Sequence, residues 1–164
     1  STWNPIGSGV EVYDIAFGNS KFVASGAVGA IQWSANDGAN WTTGNSGTTT
    51  NTLYGITFGN NRFFSVGSSG KLILSSDNGS NFSNLTKPVT NNLYSVVFGN
   101  NIFVAVGYKS VIVSTDNGST FIEKENTLTF NDVTFGNGFF AAVGDDEKIY
   151  TSTDGDTWTK VYGK

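Results

Sequence analysis

The chain has 164 residues, 38% of them hydrophobic and 14% aromatic, enough for one domain with a core built on Phe and Val. A formal net charge of −4, with nine Lys plus Arg and no basic stripe, argues against nucleic-acid binding; no run approaches a membrane span. His and Cys are absent, which removes Ser-His-Asp and Cys-His catalysis, imidazole or thiolate metal sites, and disulfides.

Met is absent too, and the chain opens at Ser1. An upstream segment (a signal peptide, an initiator Met or a larger parent chain) is therefore expected to have been removed. Sparse charge at 13%, 21 Gly and many Asn, Ser and Thr residues read as a turn-rich all-β protein. The same composition suits an extracellular, cell-surface or virion protein.

In chain order, Ser1-Thr2-Trp3 parallels Ser119-Thr120-Phe121, so residues 1–8 read as an outer strand. Four repeats follow. Each opens with an alternating strand: Tyr13 to Phe17, Tyr54 to Phe58, Tyr94 to Phe98 and Asn131 to Phe135. Ile15 and Phe17, with Ile56/Phe58, Val96/Phe98 and Val133/Phe135, predict one packed face; Asp14, Gly55, Ser95 and Asp132 predict a face near a central channel. The triplet Phe-Gly-Asn recurs at Phe17, Phe58, Phe98 and Phe135 and marks a turn into a Phe/Val/Ala-rich strand. A third strand enters an Asx-Gly turn, the strongest short-range hairpin signal, and a short polar strand leaves it at about 42–44, 82–86, 121–125 and 158–162.

The turns are Ser34-Ala35-Asn36-Asp37-Gly38-Ala39-Asn40-Trp41, Ser75-Ser76-Asp77-Asn78-Gly79-Ser80-Asn81-Phe82, Ser114-Thr115-Asp116-Asn117-Gly118-Ser119-Thr120-Phe121 and Thr151-Ser152-Thr153-Asp154-Gly155-Asp156-Thr157-Trp158. Each is expected to cap itself, with a side-chain oxygen accepting from exposed turn amides and the aromatic folded over the hairpin. The pattern resembles the Asp-box, or bacterial neuraminidase repeat, of sialidase-like β-propellers. The second and third copies match it in full, whereas the first has Asn36 at the Asp position and the fourth has Thr153 there. Asp37 and Asp154 each supply a carboxylate one residue later, so those two turns are expected to be bonded differently. The resemblance implies an all-β propeller of four four-stranded blades, about 10–44, 52–86, 92–125 and 130–164. Four sets of the first three strands but five outer strands leave one outer strand surplus. Either terminus closes the last blade, or one strand is exchanged with another subunit. Two chains could also share an eight-blade ring with C2 symmetry.

The family's enzymes hold substrate with three arginines, but Arg62 is the only arginine here, so the resemblance does not carry sialidase activity to this chain. A glycosidase needs two carboxylates about 5–9.5 Å apart across a cleft, and the only acidic cluster is Asp145-Asp146-Glu147. Asp77 and Asp116 lack the further oxygen ligands of a calcium loop and read as turn caps, so no metal or cofactor is expected. Asn36, Asp37, Gly38, Trp41, Gly79, Phe82, Gly118, Phe121, Gly155 and Trp158 are likewise structural. In such propellers ligands meet the face opposite the boxes. There the tips between the second and third strands diverge: Ala27-Val28-Gly29, Ser68-Ser69-Gly70, Tyr108-Lys109-Ser110 and Asp145-Asp146-Glu147. Tyr108 and Lys109, with the acidic trio, are the candidate ligand contacts, since an aromatic plate beside a cation suits a sugar. The expected function is a non-catalytic extracellular or virion-associated module engaging a glycan or protein. A self-assembling subunit is the alternative and a degenerate glycosidase the remote one.

Overall fold

The computed structural model describes residues 9–47, 49–75, 77–125, 127–145 and 147–163. They form four separate four-stranded antiparallel sheets. The first is β1 (Val12–Gly18), β2 (Lys21–Gly26), β3 (Ile31–Ser34) and β4 (Thr42–Thr43). The second is β5 (Leu53–Gly59), β6 (Arg62–Gly67), β7 (Leu72–Ser75) and β8 (Phe82–Asn84). The third is β9 (Leu93–Gly99), β10 (Ile102–Gly107), β11 (Ser110–Ser114) and β12 (Ile122–Glu125). The fourth is β13 (Phe130–Gly136), β14 (Phe139–Gly144), β15 (Ile149–Ser152) and β16 (Thr159–Tyr162). In each sheet the spatial order is the chain order. This is the β-propeller architecture with one blade per repeat.

The C-terminal strand β16 closes the fourth blade by pairing with β15. The proposed outer strand at 1–8 lies outside the described residues. The first hairpin of each blade turns through two residues with positive φ, such as Asn60 (46°) and Asn61 (62°), which matches the right-handed strand twist.

Three apolar layers hold the blades together. Val23 and Ile31 of blade 1 pack with Leu53, Ile56, Phe63, Ile73 and Phe82 of blade 2. Phe64, Val66, Leu72 and Leu74 of blade 2 meet Leu93, Val96, Phe103 and Ile112 of blade 3. Val104, Val106, Val111 and Val113 of blade 3 meet Phe130, Val133 and Phe140 of blade 4. Burying each large side chain contributes roughly 1.5–3 kcal/mol. The blades approach so closely that glycine is required at a repeated position. A Cβ at Gly18, Gly59 or Gly99 would overlap the ring of Phe58, Phe98 or Phe135 on the next blade.

The inner strands pack β1 on β5, β5 on β9 and β9 on β13, with no comparable packing of β13 on β1. Among the described residues the blades therefore form an arc with two uncovered ends. The expected packed face holds in blades 2, 3 and 4, where Ile56, Val96 and Val133 are 4%, 6% and 6% exposed. It fails in blade 1, where Ile15 and Phe17 are 52% and 58% exposed. The residues are right for burial, but no preceding blade covers them. At the other end Val143 and Ile149 of blade 4 are uncovered as well.

Candidate functional site

The box turns are self-capped as expected. In the third, Ser114 Oγ donates to Asp116 Oδ1 at 2.8 Å and accepts from the Gly118 amide at 2.9 Å. Asp116 also accepts from the Thr120 amide at 2.9 Å and from the Thr120 hydroxyl at 2.7 Å. Asp77 accepts from the amides of Ser80 and Asn81 and from the Asn81 side chain. In the first turn the cap is the Asn36 amide oxygen, which accepts from Ser34 Oγ and the Asn40 amide at 2.9 Å each. Asp37 instead takes the left-handed position (φ 57°) that Asn78 and Asn117 hold in the next two turns.

The fourth turn departs from the sequence alignment. Ser152, not Thr151, fills the serine role, and its Oγ donates to Asp154 Oδ1 at 2.9 Å and accepts from the Gly155 amide at 2.8 Å. Asp154 thus does what Asp116 does, in a turn one residue shorter. The aromatics close the turns: Trp41 and Trp158 each donate Nε1 to the carbonyl of their own box glycine, Gly38 or Gly155, at 3.1 Å. Phe82 and Phe121 are buried. The bonds to Thr120 hold the Asp116 carboxyl down at about 2. Backbone bonds from Thr157 and Asp156 lower Asp154; in Asp77 the bonds from Asn81, Ser80 and Ser75 outweigh the opposing effect of desolvation. The cap oxygens of Asn36, Asp77, Asp116 and Asp154 are thus used internally, whereas the side-chain oxygens of Asn78 and Asn117 are buried without a partner.

The opposite face is rigidly built. The tips between second and third strands are tied to the chain entering the inner strand: the amides of Ala27, Ser68 and Tyr108 donate to the carbonyls of Glu11, Thr52 and Asn92 at 2.9 Å each. Tips also grip the next blade, with the Ser69 amide donating to Asn92 Oδ1 at 2.9 Å and the Lys109 amide to Thr129 Oγ1 at 3.2 Å. Val28 at the first tip is 68% exposed with φ 52°, a strained conformation for a β-branched residue. Tyr108 is 48% exposed, with Lys109 Nζ 5.6 Å from its ring centroid.

Asp145 accepts a 3.4 Å bond from Asn131 Nδ2 and lines a shallow cleft of about 180 Å³ with Thr127, Leu128, Thr129, Gly144, Lys148 and Tyr150. Thr129 connects this cleft to the Lys109 tip. Glu147 (φ 60°) is at the same tip as Asp145, and Asp146 lies outside the described residues.

A second feature of this face is aromatic. Tyr13, Tyr54 and Tyr94 stand at the starts of the inner strands and form an aromatic arc, with ring centroids 6.2 and 5.9 Å apart. A register shift beside each, as between Val12 and Asp14, turns the tyrosine out of the packed face and puts Leu53 or Leu93 there instead. The fourth position of the arc is Asn131, the partner of Asp145, so the arc leads into the cleft. The sequence signal was the recurrence of Tyr at 13, 54 and 94. Tyr13 donates to Glu11 Oε2 at 2.7 Å, a bond that raises its hydroxyl above the ordinary range. Beside the arc, burial pushes the Asp14 carboxyl up against the pull of the Ile56 and Ile15 amides, and the charge of Asp132 adds to the rise.

No family model matches the chain, and no curated protein is detectably similar in sequence. Solved structures do share its fold, which is that of the β-propellers. YCF48 bound to D1 peptide is 14% identical with a TM-score of 0.77 over 96% of this chain and 58% of that one. A nidogen/laminin complex is 11% identical with a TM-score of 0.75 over 93% of this chain and 62% of that one. The computationally designed protein Ika4 is 13% identical with a TM-score of 0.71 over 90% of this chain and 94% of that one. The chain thus spans about three fifths of the first two.

Proposed function

We propose that the chain is a non-catalytic binding module of an extracellular or virion-associated protein, engaging a protein segment through the face opposite the box turns. The tyrosine arc carries this reading. Three rings at about 6 Å spacing offer apolar faces and hydroxyl edges on a fixed frame, and the arc runs to a polar cleft holding Asp145 and Lys148. Two proteins of the same fold are seen with a partner, YCF48 with D1 peptide and nidogen with laminin, and this supports a protein ligand. A glycan is the second ligand class the arc suits, because tyrosine faces also stack on sugar rings. Absence of His and Cys and the single Arg62 support the non-catalytic part.

The test is selection from a displayed peptide library, with a glycan array read in parallel. Wild type is expected to enrich peptides whose affinity falls about three- to tenfold in Tyr54→Ala. No enrichment, or affinity indifferent to Tyr54 and Tyr94, overturns the peptide reading. Tyrosine-dependent signals confined to glycans transfer the site to sugars, and hydrolysis of a chromogenic glycoside overturns the non-catalytic part.

A further inference from the structure

We infer that the two ends of the arc are halves of one interface: blade 4 of one chain receives blade 1 of a second copy, and two such contacts close a ring of eight blades. The repeat supplies the reason, because every internal junction seats a phenylalanine on a glycine and each end of the arc carries one unmatched half.

The first part is the knob and its seat. Phe58, Phe98 and Phe135 sit over Gly18, Gly59 and Gly99 of the preceding blade, and those three glycines are buried. Phe17 is the corresponding knob of blade 1 and is 58% exposed. Gly136 is the corresponding seat of blade 4; it is exposed, and a Cβ there would meet nothing within 4 Å. Knob and seat are each left over once, at opposite ends.

The second part is polar. Asp14 takes its own Ile15 amide on Oδ1 at 2.8 Å and reaches the Ile56 amide of the next blade with Oδ2 at 2.7 Å. Asp132 occupies the same repeat position in blade 4 and takes its own Val133 amide on Oδ1 at 2.8 Å. A following blade would bring Ile15 of the second copy to Asp132, as Ile56 is brought to Asp14.

The third part is the box aromatic. Phe121 stacks on Phe64 of the preceding blade with centroids 4.6 Å apart, while Trp158 packs in the layer that contains Val104. Phe82 likewise lies in the layer that contains Val23, so at each internal junction the box aromatic packs in the layer shared with the preceding blade. At the unmatched ends these positions hold Trp41, a large ring, and Ala141, the smallest partner of the series. The pairing is head to tail, so it closes only as a ring, and two copies related by a twofold axis are the smallest one.

The test is the solution mass of the full chain by light scattering behind size exclusion, over about 1–100 µM. Wild type is expected at twice the 17.4 kDa chain mass. Gly136→Leu fills the seat and Phe17→Ser removes the knob. Both sites are exposed in the single chain, so each variant is expected as a folded monomer with the circular dichroism of wild type. A wild-type monomer at every concentration overturns the inference, whether the arc closes on itself or the ends await further blades of a longer chain. A dimer that survives both substitutions overturns it as well. Species that grow beyond the dimer overturn the closed ring.

Discussion

Replacing Gly59 by Ala tests the blade-to-blade seat. Gly59 lies in extended strand, so an alanine backbone fits, and reduced freedom of the unfolded chain favours the variant by about 0.5–1 kcal/mol. The added methyl, however, would lie 2.5 Å from Cδ2 and 2.6 Å from Cδ1 of Phe98, where ordinary contact begins at 3.4 Å. The ring must retreat by roughly an ångström, and it is itself packed on Phe103 with centroids 4.8 Å apart. Overpacking of this kind costs about 1–3 kcal/mol, so a net loss of about 1–2 kcal/mol is expected. Urea unfolding of Gly59→Ala, Phe98→Ala and the double variant measures it, because the methyl clash vanishes once the ring is gone. The double variant should be at least about 1 kcal/mol more stable than the sum of the single losses allows. A Gly59→Ala protein as stable as wild type, or losses that simply add, would refute the seat.

Ser114→Ala removes a buried hydroxyl and leaves the Gly118 amide unpaired, so urea unfolding should show a loss of about 1–3 kcal/mol, with Ser152→Ala similar. Acid should weaken the fold through the box carboxylates. The folded pKa values of Asp77, Asp116 and Asp154 lie below their unfolded ones, so their stabilisation is complete above the ordinary carboxylate range. It is lost as pH falls, reaching about 2 for Asp116. Asp116→Asn, which copies Asn36, should fold and should flatten the stability–pH curve between about pH 4 and 2. Val28→Gly relieves a left-handed valine at an exposed tip and should raise stability by about 1 kcal/mol, measured by thermal unfolding, while any ligand bound at that tip should suffer.

Features that depend on neighbours in the chain were legible in the sequence. The Asx-Gly turns, the Phe-Gly-Asn corners and the strand order are local, and the structure repeats them in each blade. The fourth box shows the limit of local reading. Aligning it on Gly155 and Trp158 puts Thr153 opposite Asp116, but a shorter turn lets Asp154 reach the same bonds. The tyrosine arc was hidden for another reason. Simple alternation assigns Tyr13 to the face of Ile15, and only the register shift at each strand start turns it out. Blade 1 shows what composition alone cannot carry. Ile15 has the character of Ile56, yet its burial depends on whether something lies against it. At the candidate site, Lys109 and Asp145 were foreseen as tip residues, but the role of Thr129 in joining them belongs to three-dimensional contact.

Among the described residues every strand ladder joins segments adjacent in sequence, the isolated bridge of Asn45 to Asn81 apart, and that has a kinetic consequence. Closing each hairpin costs little loop entropy, so the chain should collapse faster than an all-β protein whose sheets are woven from distant segments. Each blade couples chiefly to its neighbours, so order spreads along the chain as in a row of dominoes. In the single chain, blades 2 and 3 have both faces covered and should hold their amide protons longest, while blades 1 and 4 open first. The last region to become rigid is then the pair of uncovered ends.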